Sequence, residues 1–157
     1  MNDALQARLN GQLPEIDIAG DLYVVDLARQ RLYLKNSPAN VLWLEDMDVD
    51  SLGEGGYEFF YHTPSKQKYS VDYDHITGLP PEVIQIRLPH DGILDAVHEA
   101  KYNPGISYLD QLIERDQQIE LFLEATVIPL RKTNLQRLAI GNILRRRDNK
   151  RGIRPKL

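Results

Sequence analysis

The chain has 157 residues, of which 42% are hydrophobic, and a formal net charge of −4 from 19 Lys/Arg and 23 Asp/Glu. A chain of this length can bury roughly two-thirds of its unfolded surface, so one domain that folds without staples is the expectation. It has no cysteine, which excludes disulfides, thiolate metal ligation and a thiol nucleophile, and fits a reducing, cytoplasmic setting.

The start of the chain, Met1 to Gln6, lacks the basic and apolar segments of a secretory signal. No apolar run approaches the roughly 18 residues of a membrane span. Residues 1–13 suit one or two helical turns around Leu5 and Leu9, ended by Gly11 and Pro14. Glu15–Ile18 alternates polar and apolar, Gly20-Asp21 is a turn, and Leu22–Leu27 is rich in strand formers. Arg31–Lys35 alternates again, so two successive hairpins predict an antiparallel meander. Asn36–Asn40 reads as a loop, and Val41–Leu44 as a short strand or a helical turn.

An acidic linker runs from Asp46 to Glu54, closed by Gly53, Gly55 and Gly56. Tyr57–Tyr61, Lys68–Tyr73 and Val83–Leu88 are the next expected strands. The period then lengthens. Ile93, Leu94 and Val97 fit a short helix with Asp91 near its start. Ser107 is placed to cap a longer helix through Leu109, Leu112, Ile113 and Ile119 to Phe122 or Leu123. After Pro129, Asn134 is placed to cap a last helix through Leu135, Leu138, Ala139 and Ile143. Sheet first and helices after is an α+β order.

The phrase Leu13-Pro14-Glu15-Ile16-Asp17-Ile18-Ala19-Gly20, followed by Tyr23-Val24-Val25-Asp26, resembles the opening of a group of bacterial proteins, mostly from Bacteroidetes. These begin on an L-P-x-I-D-I-A-G-x-x-F/Y-x-V-D motif. The likeness extends through about residues 13 to 95. It implies a β-rich N-terminal module and carries no assigned activity, so no functional residue is transferred from it.

Four constellations bear on chemistry. His90-Asp91-x3-Asp95-x2-His98 places Asp91, Asp95 and His98 on one face of a continuous helix, a geometry open to a divalent metal. The simpler reading has Asp91 capping the helix while Asp95 and His98 sit in water. Asp72-Tyr73-Asp74-His75 offers two same-facing carboxylates if it is a strand, or solvated acids before a loop. Asp46, Asp48 and Asp50 have calcium-loop spacing, but Ser51 and Tyr57 stand where an EF-hand needs Gly and Glu. His62, before Thr63-Pro64, reads as a turn residue. No nucleophile elbow, dinucleotide fingerprint or phosphate-binding loop is present, so neither a catalytic motif nor a cofactor is expected. Six tyrosines (23, 33, 57, 61, 69 and 73) fall in the predicted sheet, where core packing and protein contact are expected rather than base stacking, given the surrounding acids.

The fourth constellation is charge. From Arg131 to Leu157 there are ten bases and one acid, Asp148, a net of +9; the first 130 residues carry 9 bases against 22 acids, a net of −13. We therefore divide the chain into an acidic β-rich region with trailing helices (1–130) and a basic C-terminal helix and tail (131–157). Arg137, Arg145, Arg146, Arg147, Lys150, Arg151 and Arg154 are the expected contacts to an anionic partner. A protein partner or a second copy of the chain is the leading reading. Sequence-independent phosphate binding to nucleic acid is the alternative.

Overall fold

The computed structural model describes residues 1–102 and 108–150; the segments 103–107 and 151–157, with Arg151 and Arg154, lie outside them. The fold is α+β: among the described residues there are ten strands and five helices, with most strands preceding the longer helices. No helix of the described residues is long and apolar enough to cross a membrane. The chain divides into two compact units, Met1–Phe59 with Ile86–Val127, and Phe60–Gln85 with Ile128–Leu157.

Helix α1 (Asp3–Leu9) starts at Asn2, whose side chain accepts from the Leu5 amide at 2.9 Å. It ends before Gly11, which takes φ +105°, a conformation that costs glycine little. Strands β1 (Glu15–Ile18), β2 (Asp21–Asp26) and β3 (Arg31–Leu34) pair in succession as the antiparallel meander that alternation predicts, and β4 (Ser37–Trp43) pairs with β3 beyond them. The first hairpin turns on Ala19 and Gly20, both at positive φ, as a two-residue primed turn requires. Strand β4 corrects the expected loop at Asn36–Asn40. It sits at the sheet edge, where Pro38 costs no ladder bond, and a register shift at Tyr33/Leu34 absorbs the irregularity.

The other side of the sheet is closed by β9 (Phe122–Glu124), which pairs parallel to β1 with Ile16 opposite Leu123. Here the predicted long helix fails: α4 spans only Tyr108–Glu114, and β9 and β10 (Thr126–Ile128) follow it. Apolar spacing over Ile119 to Leu123 fits a helix, but the backbone of Glu15 takes the Leu121 carbonyl at 2.7 Å and turns the segment into a strand. A second sheet runs β10-β8-β6-β5, from β5 (Asp48–Val49), β6 (Tyr57–His62) and β8 (Val83–Leu88), with β7 (Gln67–Tyr69) paired to β6.

Within the first unit Leu5, Ile16, Ile18, Tyr23, Val25, Leu32, Ile86 and Leu94 are fully buried. One ion pair is buried with them. Arg8 reaches Asp95 with Nε and Nη2 at 2.9 to 3.1 Å, and both side chains are nearly inaccessible. The second unit packs Phe60, Val83, Leu130 and Leu135, with Tyr69, Val71, Ile76, Leu79 and Leu138 around them.

Candidate interaction surface

Helix α5 (Leu135–Lys150) is built to show charge. Thr133 donates to the Leu130 carbonyl at 2.6 Å, and its oxygen accepts from the Leu135 amide at 3.3 Å. Asn134 holds the cap position, its carbonyl taking the first helical bond from Leu138. Leu135, Ala139 and Asn142 are buried. Asn142 is the anchor: its side-chain NH2 donates to the carbonyls of Tyr73 at 3.0 Å and Ile76 at 2.7 Å. Every described side chain from Leu144 to Asn149 is exposed, so the last turns carry Arg145, Arg146 and Arg147 clear of the core. Arg145 also donates to the Asn142 side-chain oxygen.

The opposite side of α5 is not purely polar. Arg137, Ile140, Leu144 and Arg147 recur at intervals of three and four residues and so share a face. Ile140 and Leu144 are each 52% exposed. Where the helix begins, Arg131, Lys132, Asn134, Gln136, Arg137 and Ile140 line an open groove of about 530 Å³.

Five of the nine bases in residues 1–130 pair with acids. Arg8 pairs with Asp95, Arg29 and Arg31 with Asp26, Lys35 with Glu15, and Arg87 with Glu58 and Asp50. None of Arg131, Lys132, Arg137, Arg145, Arg146 and Arg147 has an ion-pair partner among the described residues. The helix dipole accounts for part of this pattern. Bases near a C-terminus are favoured by about 0.3–1 kcal/mol each, so Arg145–Arg147 gain from their position. Arg131, Lys132 and Arg137 stand at the positive end, where the same dipole opposes them.

The other sequence candidates are dispersed. The helix expected over Asp91–His98 breaks at Asp95, so α2 (Asp91–Leu94) and α3 (Ala96–Lys101) are separate. His90, not Asp91, caps α2, its Nδ1 accepting from the Gly92 amide at 3.1 Å. Asp95 does not sit in water as the simpler reading held; it is buried against Arg8 and caps α3 through the His98 amide. Asp91 instead accepts from the Tyr57 hydroxyl at 2.5 Å, and the His98 ring stacks on Tyr102 with centroids 4.5 Å apart. No group of three or more His, Asp or Glu among the described residues is placed to hold a metal ion.

Asp72 and Asp74 are not in a strand, since β7 ends at Tyr69. They form an exposed turn in which His75 Nδ1 lies 2.9 Å from Asp72, and this contact holds the Asp72 carboxyl below its usual range. His62 Nδ1 accepts from the Ser65 amide at 3.3 Å and lies 2.7 Å from its hydroxyl, closing the turn after β6. Of the acidic linker, Asp50 is buried beside Arg87 while Asp46 and Asp48 are exposed. Tyr23 and Tyr61 are core residues. Tyr33 lies under the Arg31 guanidinium at 5.2 Å.

No family model, curated protein or solved structure matches the chain.

Proposed function

We propose that this is a non-enzymatic binding protein of a reducing, cytoplasmic compartment, which uses α5 to dock on an acidic protein surface, a second copy of the chain included. The observation that carries the reading is the pairing, on one helix face, of unneutralised bases with exposed Ile140 and Leu144. An apolar centre ringed by polar and charged groups is how protein interfaces are built. A phosphate backbone needs the bases and has no use for the aliphatic centre. The net of −13 in residues 1–130 makes another copy chemically complementary to the helix.

Anisotropy titrations of the full chain with a labelled acidic amphipathic peptide, a DNA duplex and a single-stranded RNA test this. Peptide binding is expected to fall at least tenfold in Ile140→Ser/Leu144→Ser and in Arg137→Glu. Nucleic-acid binding that is tighter than peptide binding, falls steeply with salt and ignores the Ile140/Leu144 change would replace the protein reading with the phosphate one.

A further inference from the structure

One cavity of the first unit brings together polar groups from four separate places in the chain. It holds about 230 Å³, or some seven times the share of liquid volume taken by a water. Leu27 and Leu44, both buried, give it apolar wall, and Gln30, Glu45, Tyr57, Asp91 and His98 complete the lining. The frame is fixed by backbone. Gln30 adopts φ +54° and donates its N–H to Leu27, while its carbonyl accepts from Leu44 at 3.0 Å. A non-glycine residue held in the left-handed region stores strain, and such residues gather at ligand sites.

Two of the lining groups are carboxylates, Glu45 and Asp91. The Tyr57 hydroxyl donates to Asp91 Oδ1, which sets the carboxylate's orientation and leaves Oδ2 without a partner among the described residues. Burial, and then Asp91 itself, push the Tyr57 phenol well above its ordinary range, so it remains a donor across physiological pH. Nδ1 of His98 is inaccessible and has no hydrogen-bond partner among the described residues, an uncommon state for a buried polar atom. Glu45 is exposed, and its carboxylate likewise has no ion-pair partner among the described residues. No Lys or Arg lines the cavity. An adjoining cavity shares Leu27, Gln30 and His98 and adds Tyr102 and Arg29, but Arg29 is held by Asp26 at 3.2 Å.

Two uncompensated carboxylates beside aromatic rings and leucines select charge and shape together. A metal ion is poorly served, because three ligating side chains do not converge among the described residues. An organic cation is well served: its head group meets Asp91 and Glu45, and its alkyl part meets the leucines. We propose that this cavity binds a small organic cation, an alkylguanidinium or alkylammonium, with Asp91 and Glu45 as its counter-charges. The α5 surface takes no part, so the two readings stand or fall separately.

The test is a titration of the isotope-labelled full chain, followed by amide NMR, with butylguanidinium, butylammonium and the neutral butylurea. Saturable shifts at Gln30, Leu44, Glu45, Asp91 and His98 are expected with a cation and at least tenfold weaker binding with butylurea; the tighter cation names the head group. Asp91→Asn and Glu45→Gln are each expected to weaken the cation at least fivefold, and Glu54→Gln, an acid outside the cavity, to leave it unchanged. Glu45 is exposed, so Glu45→Gln keeps a native spectrum even if Asp91→Asn does not. Shifts that never saturate, butylurea binding as well as the cations, or full affinity in Glu45→Gln would each overturn the proposal.

Discussion

Glu58 shows how single residues in this chain are held. It lies buried on β6 and accepts from the Ser51 amide at 2.9 Å, the Ser51 hydroxyl at 2.7 Å and Arg87 Nε at 2.9 Å. Burial alone raises its pKa. The two Ser51 bonds and then the Arg87 guanidinium outweigh that, and the carboxyl ends below its ordinary 4.5. Because the folded value is the lower one, the stability Glu58 contributes is complete above the unfolded value and is lost as pH falls through the folded one. Urea midpoints taken from about pH 3 to 7 are therefore expected to drop for the native chain below about pH 4.5. Glu58→Gln is expected to start lower at neutral pH and to lose part of that acid dependence; parallel pH profiles for the two proteins would remove Glu58 from the account. None of this was legible in the sequence. Arg87 stands 29 residues from Glu58, and no periodicity links a linker serine to a strand arginine. The acid-lined cavity was hidden for the same reason, since Gln30, Glu45, Tyr57 and Asp91 come from unrelated segments. The shared helix face that spacing allowed for Asp91, Asp95 and His98 was undone by a residue of α1, Arg8, which draws Asp95 into the interior.

At the scale of elements, local pattern and distant pairing divide what was readable. The meander β1–β3 was visible because one face is buried and alternation records it, as Ile16, Ile18, Tyr23 and Val25 show by their complete burial. Strand β9 was not, because its partner β1 lies more than a hundred residues earlier and Phe122 remains 65% exposed. Helix α5 was readable as a helix from Leu135, Leu138, Ala139 and Ile143, but its polar anchor was not. Asn142 is 2% exposed and ties α5 to the 73–76 turn by two bonds. Removing its amide takes a donor from each of two carbonyls, and a buried unsatisfied group costs about 1–3 kcal/mol. Asn142→Ala is thus expected to lower unfolding free energy by at least that amount. Asn142→Asp, which keeps the size but loses the NH2, should cost as much or more. Chemical denaturation measures both, and a loss under about 0.5 kcal/mol, the scale of an ordinary surface change, would show that the two bonds do not hold the helix in solution.

At the scale of the molecule, the net charge of −4 is the sum of two opposite fields, and which one a partner meets depends on ionic strength. The Debye length is about 30 Å at 0.01 M and about 8 Å at 0.15 M. At the longer length an acidic partner approaching α5 feels both sets of charge, and their sum repels it. At the shorter length it feels only what is nearest, the bases from Arg131 to Arg147. Still higher salt screens those as well. The association rate with an acidic peptide is therefore expected to pass through a maximum as salt rises, whereas a uniformly basic protein shows a steady fall. Changing Arg146 and Arg147 together to Gln, which spares the bond from Arg145 to Asn142, takes the net charge from −4 to −6. Since these side chains are exposed and without an acidic partner among the described residues, the variant is expected to melt within about 2 °C of the native chain. Its association rate should be lower and should only rise with salt, as repulsion by the remaining acids is screened. Dissociation should change little, because rim charges act mainly on encounter while the contact itself rests on Ile140 and Leu144. Stopped-flow mixing across a salt series separates the two rates. A native association rate that falls from the lowest salt upward would mean that the acidic set is not felt at α5, and that the helix meets its partner as an isolated cation.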